Sequence, residues 1–173
     1  MKPMPNNKSA LWKIREEQLF RRGAENVRHA AGGIKKINSQ ELVHLNQLMT
    51  ETSDEPWRFE PVEITIPGGQ THHFNLVSNP INRARDICGQ ALQIAGNGEP
   101  RKAALYLYTE LVLAHLFKDA NRRTAVLATL WILENDGIRV DENTLLNIPL
   151  GDLRDDADRK TFEEKFRALV GDA

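Results

Sequence analysis

Cysteine is almost missing from this 173-residue chain: Cys88 stands alone, which excludes an intrachain disulfide framework and fits a reducing compartment. An excess of one charge is missing too. Lys and Arg number 23 against 24 Asp and Glu, for a formal net charge of -1. No global field therefore draws the protein to nucleic acid or to acidic lipid. Long apolar runs are absent. The densest stretch, Ala125 to Leu133, is about half the ~20 residues that a membrane span needs. The first residues, MKPMPNNKSALWKIREEQLFRRG, lack the apolar core of a signal peptide. There is no internal repeat, no low-complexity tract and no recurring metal-ligand spacing. His72 and His73 are adjacent, and on a strand they would point to opposite faces, which counts against a His72, His73, His115 metal site. These absences leave a cytoplasmic protein with no nucleic-acid and no membrane partner as the expectation.

What remains is an ordinary globular composition, 40% hydrophobic and 27% charged, at a length suited to one sizeable core. Residues 1 to 8 read as a loose tail. Ser9 is a candidate cap for a helix over 10 to 31, stopped by Gly32-Gly33. Its charges are dense and its apolar residues sparse, so the expectation is a surface helix, or one that meets a partner. A boundary at residue 36 divides this tail and helix from a catalytic domain over 37 to 173. Leu42, Leu45, Leu48 and Met49 form a helical stripe after a possible Ser39 cap. Val62, Ile64 and Ile66 alternate with polar residues, Pro67-Gly68-Gly69 supplies a turn, and Thr71 to Leu76 can return as a second strand.

Asn79-Pro80 then opens a helix that Gly96-Asn97-Gly98 ends. Pro100 opens another, over about 101 to 117, with Ala104, Leu107, Leu111 and His115 on one face. A helix over about 122 to 135 is apolar nearly all round and so should be central and buried. A short helix after Asp141 and a last one bearing Phe162, Phe166, Leu169 and Val170 complete the chain. The fold class is all-α: a helical bundle with one small β-hairpin.

The chemistry concentrates in HLFKDANRR, residues 115 to 123. A buried helix starting after Asn121 points its free N–H groups into the loop, which favours an anion. Arg122 and Arg123 suit phosphate oxygens, and Asp119 is a hard oxygen ligand of the kind that holds Mg²⁺ beside a nucleotide. His115 titrates in the range of a general base. Each residue has a plainer reading: a histidine closing a helix, Asp and Asn as caps, solvated arginines. The joint occurrence of all of them between two apolar helices points to a phosphate-handling site.

The run HLFKDANRRTA resembles the signature of the Fic/Doc (Fido) family, met here by His115, Phe117, Asp119, Ala120, Asn121 and Arg123. The segment PWRFEPVEITIPGGQTHHF is similar to that family's flap hairpin, and KAALYLYTELVLAHLF to its motif-leading helix. The resemblance covers roughly residues 40 to 150. It implies ATP as nucleotide substrate, Mg²⁺, and transfer of a phosphate-containing group to a Ser, Thr or Tyr hydroxyl of a protein substrate. His115 would take the hydroxyl proton, Phe117 would anchor the loop, and Asp119 would hold the metal. Lys118, Asn121, Arg122 and Arg123 would hold phosphates. The flap residues Ile64, Thr65, Ile66, Gly68, Gly69 and Thr71 would dock the target segment by strand addition.

Two departures bear on which group moves. Fic members that transfer AMP usually have glycine where Arg122 stands and a second arginine where Val126 stands. Doc-type members share this chain's pattern, with lysine at the first position, and transfer the γ-phosphate. Arg122 and Val126 therefore favour phosphate transfer over AMP transfer, with a non-catalytic nucleotide- or partner-binding module as the alternative. The family's inhibitory helix carries Ser or Thr, then Glu four residues on, then Gly or Asn. Glu25-Asn26 has Arg21 at the first place, Glu134-Asn135 has Leu130, and Glu142-Asn143 has Ile138. None matches, so the expected restraint is an antitoxin-like regulator or a homo-oligomer, with the helix over 10 to 31 as the contact. A toxin is one implied role.

Overall fold

The computed structural model describes residues 10–65, 69–75 and 79–171. Its elements are α1 (Ala10–Ala31), α2 (Ser39–Thr50), β1 (Val62–Thr65), β2 (Thr71–Phe74), α3 (Pro80–Gly96), α4 (Pro100–Ala114), α5 (Asn121–Asn135), α6 (Glu142–Leu146) and α7 (Asp156–Val170). The fold is a helical bundle with one antiparallel hairpin, as the periodicities imply. Each position from Thr124 to Leu133 is buried, because α5 is apolar all round and must be enclosed on every side. The helices α1, α2, α4 and α6 pack directly on it, with α3 and α7 against α4. Tyr108, Phe162 and Phe166 form an aromatic cluster that seats α7 on α4, with Tyr108 and Phe162 stacked at 5.1 Å.

Helix starts follow their caps. Asn79 Oδ1 accepts the N–H groups of Ile81 and Asn82 before Pro80, and Asp141 caps α6 through Thr144 N–H. The expected Ser39 cap is displaced by one residue. Asn38 Oδ1 accepts from Gln40 and Glu41 at 2.9 and 3.0 Å, and Ser39 is the first helical residue. Ser9 lies outside the described residues. Among the described residues the hairpin pairs Val62 with Phe74 and Thr65 with Thr71. Of the expected flap residues, Ile66 and Gly68 lie outside the described ones, and so does Leu76. A further correction concerns α4, which ends at Ala114 rather than near residue 117.

The surface reading of α1 also needs correction. Leu19, Phe20, Gly23, Ala24, Val27 and Ala31 form a continuous buried face in the same core as α5. The sparse apolar positions suffice because Gly23 lets the helices approach closely: a Cβ there would lie 2.6 Å from Leu127 Cδ1 and 2.9 Å from Met49 Cε. The exposed side of α1 still carries Leu11 and Ile14 at its first turns. Gly23→Val should force these helices apart and destabilise the protein by about 1–3 kcal/mol in chemical denaturation. An unchanged midpoint would mean that the α1–α5 contact is loose.

Candidate active site

The loop between α4 and α5 is held by three neighbouring segments. A strap before the hairpin pairs with it: Arg58 N–H donates to Leu116 O at 2.8 Å and Lys118 N–H to Pro56 O at 2.9 Å. Between these bonds, Trp57 and Phe117 form an antiparallel bridge, and their rings stack at 5.0 Å. Phe117 is buried, as a loop anchor must be. From α2, the buried Asn46 donates through Nδ2 to Asp119 O at 2.9 Å and to Thr124 Oγ1 at 3.1 Å. From α5, the amide of Asn121 closes the loop on itself. Its Oδ1 accepts Phe117 N–H, and its Nδ2 donates to Phe117 O, both at 2.8 Å. These bonds support a left-handed turn at Ala120 (φ 56), which costs on the order of 1 kcal/mol for a residue with a Cβ.

His115 is the residue that follows α4, not part of its last turn. It adopts the left-handed conformation (φ 46), and its N–H closes the helix on Leu111 O. Its ring is fixed from two sides. Phe74 of β2 stacks on it at 4.5 Å, and Asn121 Nδ2 lies 3.1 Å from Nε2. An amide NH₂ only donates, and the Asn121 oxygen is already committed to Phe117 N–H. His115 Nε2 therefore presents its lone pair and Nδ1 carries the proton. Burial, then the positive charge of Arg58, push the imidazole down to about 4, against the opposing pull of Asp119. The ring is neutral at neutral pH, with a lone pair to accept a proton.

The cations are distributed unequally. Arg123 meets Glu16 of α1 at 3.1 Å, while its Nη1 is buried without a hydrogen-bond partner. That orphaned donor lies in the first turn of α5, whose start has no side-chain cap. Arg122 runs the other way, with Nε donating to Tyr108 OH at 3.2 Å and Nη2 to Ile148 O at 2.5 Å. Lys118 Nζ donates to Glu55 O at 3.0 Å. Asp119 accepts Ala120 N–H and borders a cavity of about 290 Å³, also lined by Trp12, Glu16, Leu19 and Met49. On the flap, Ile64 is half-buried, Thr65 and Thr71 are exposed, and Gly69 takes a left-handed φ of 83°. His72 is buried beside Asp152 at 3.4 Å, whereas His73 is exposed on the opposite face.

A family model described as Fic/DOC family matches residues 36–133, more than half of the chain. The chain belongs to the Fic/DOC family. No curated protein matches it. Among solved structures it resembles a Fic domain containing signalling protein from Bacteroides thetaiotaomicron, at 16% identity and a TM-score of 0.69. That likeness covers 94% of this chain and 70% of the other, and it bears on the fold alone. The family match begins just after α1, so Glu16 reaches the Fic loop from outside the matched segment.

Sequence reasoning brought His115, Phe117, Asp119, Asn121 and Arg123 together, and the structure places them around one loop. It missed Asn46, Arg58, Phe74 and Glu16. Asn46 was legible only as a polar interruption in the stripe of α2. Arg58 and Phe74 stand in the quoted flap segment without any spacing that marks them. Glu16 precedes Glu17, so it falls outside the Glu-then-Gly/Asn pattern.

The depressed His115 has a consequence for stability. An unfolded histidine protonates near 6.5, the folded one near 4, so folding expels a proton between those values. This contribution is complete above about pH 6.5 and is lost as pH falls towards 4. Denaturant midpoints of wild type and His115→Gln should therefore diverge in slope across that window, the wild type falling more steeply on acidification. Parallel curves would show that the ring titrates normally.

Proposed function

We propose that the chain is a Fic-type transferase that moves a phosphate-containing group from ATP to a protein hydroxyl. The observation that carries this reading is the partnerless, buried Nη1 of Arg123 at the uncapped start of α5, on the loop that also holds a neutral His115. An anionic phosphate satisfies both the orphaned donor and the helix N–H groups. Asp119 supplies a carboxylate for Mg²⁺, which when bound neutralises phosphate charge. The target hydroxyl oxygen forms the new bond to phosphorus as the bond to the leaving phosphate oxygen breaks. Its proton passes to His115 Nε2, which exchanges its contact with Asn121 for one with the hydroxyl. The hairpin, in which β1 pairs only with β2 among the described residues, suits a target segment held as an added strand.

Two observations favour γ-phosphate as the group that moves. Val126 is fully buried, so no side chain there brings a second positive charge to the phosphates. Arg122 is occupied by Tyr108 and Ile148, which leaves Arg123 as the motif's arginine for the nucleotide. With γ-labelled ATP, Mg²⁺ and a cell extract, label should appear on protein, and His115→Ala should abolish it while the fold persists. Label from the α position alone would make the transferred group AMP. Nucleotide binding without any labelling would instead favour a non-catalytic module.

The Glu16 carboxylate occupies the guanidinium that a phosphate would use. Glu16→Ala should raise affinity for a non-hydrolysable ATP analogue with Mg²⁺ by roughly tenfold in calorimetric titration. An unchanged affinity would mean that Glu16 yields to phosphate without cost. A regulator or a second copy that pulls α1's exposed face is one way to shift the same balance.

A further inference from the structure

Arg58 is a buried guanidinium whose bonds all run to carbonyls. Nε donates to His115 O at 2.7 Å, Nη2 to Asn75 O at 3.1 Å and Ala114 O at 3.5 Å, and Nη1 to Phe74 O at 3.3 Å and to Glu60 O. The acceptors belong to three separate pieces of chain: the end of α4, the entrance to β1, and the end of β2. The α4 carbonyls are among those a helix leaves unpaired, at the negative end of its dipole. The β2 carbonyl belongs to Phe74, the residue whose ring stacks on His115. Arg58 therefore holds the backbone of both members of the Phe74–His115 stack. Arg154 lies over Phe74, 5.6 Å from its centroid.

We propose that Arg58 is a positioning residue that fixes the flap hairpin and His115 as one unit, so that a hydroxyl carried by a segment docked on the flap meets the base at a set distance and angle. The proposal rests on the transferase reading for its purpose, and on geometry alone for the coupling itself. Ordinary helix capping would need only the α4 carbonyls. The guanidinium fork instead spans two elements, which a lysine ammonium, a point donor on a flexible stem, cannot do at this spacing. The charged groups acting on the His115 ring are Arg58, which opposes its protonation, and Asp119, which favours it.

The test compares wild type, Arg58→Lys and Arg58→Gln by histidine NMR titration, amide hydrogen exchange and transfer kinetics. In Arg58→Gln the His115 midpoint should rise from about 4 towards the ordinary histidine value. Arg58→Lys keeps the charge and should leave the midpoint low. Both variants should lose exchange protection in the hairpin, and kcat should fall by about 100-fold with the nucleotide KM nearly unchanged. A capping role alone would still move the midpoint in Arg58→Gln through the lost charge, but it would leave the hairpin amides protected in both variants. A folded Arg58→Gln or Arg58→Lys protein with unchanged hairpin protection overturns the proposal, whatever its titration. Should neither variant fold, wild-type exchange still decides. Hairpin amides and the His115 amide should open with one denaturant dependence, and independent opening overturns the coupling. If the wild type transfers nothing, the transferase reading fails, while exchange still judges Arg58.

Discussion

A helix that is apolar on every side has one stable solution, which is enclosure, and most of this structure follows from enclosing α5. Four helices must cover it, so its start is fixed by packing rather than by a cap of its own. The residues before Asn121 then have no freedom to continue as helix: the chain arriving from α4 has to turn within a few residues to enter a helix whose position is already set. The left-handed conformations at His115 and Ala120 are the two corners of that turn. Because α5 is buried, its N-terminal N–H groups are presented in a half-buried setting, where a dipole acts on an anion with less screening than at an open surface.

Such a loop does not hold itself: its backbone pairs with the strap at Leu116 and Lys118. Its polar groups are met by side chains from outside: Asn46 from α2, Asn121 from α5 and Arg58 from the strap. Each of these is buried, and a buried amide or guanidinium left unpaired would be costly, so the partners are mutually enforcing. The same burial that makes the loop rigid lowers the proton affinity of His115. Rigidity and a neutral base are thus one consequence of placing the loop between packed elements.

Much of this was legible in sequence where a single local rule decides. Asn79-Pro80 starts a helix, the apolar run after Asn121 is buried, and the hairpin alternates. Legibility failed where two rules compete. Ser39 and the adjacent Asn38 are both good caps, and the preference falls to the residue that holds extended backbone. The α4 periodicity continues formally to His115, yet the strap's bonds to Leu116 and Lys118 take the chain out of the helix. The helix α1 looked peripheral because its apolar residues are few. A glycine contributes nothing to a hydrophobic stripe, although Gly23 is what admits the close contact with Leu127. Arg122 and Arg123 are neighbours in sequence but about 100° apart around a helix, so one faces the loop side and the other the aromatic cluster.

That angular separation also bears on how the motif's variation should be read. A bulky cation at residue 122 need not reach the phosphates to influence the site. Through Tyr108 and Ile148 it ties the first turn of α5 to α4 and to the chain after α6, which bears on the placing of the free N–H groups at that helix start. Val126, one turn further on, is sealed in the core and contributes packing where a longer cation would have to reach out. The two departures are then a single exchange. In the proposed transferase, charge that would have lined the phosphate path is replaced by contacts that hold the helix start, and the burden of meeting phosphate would fall on Arg123 and on backbone N–H groups. A cradle of that kind is set by position more than by charge, so the packing of α1, which brings Glu16 to Arg123, has direct leverage on it.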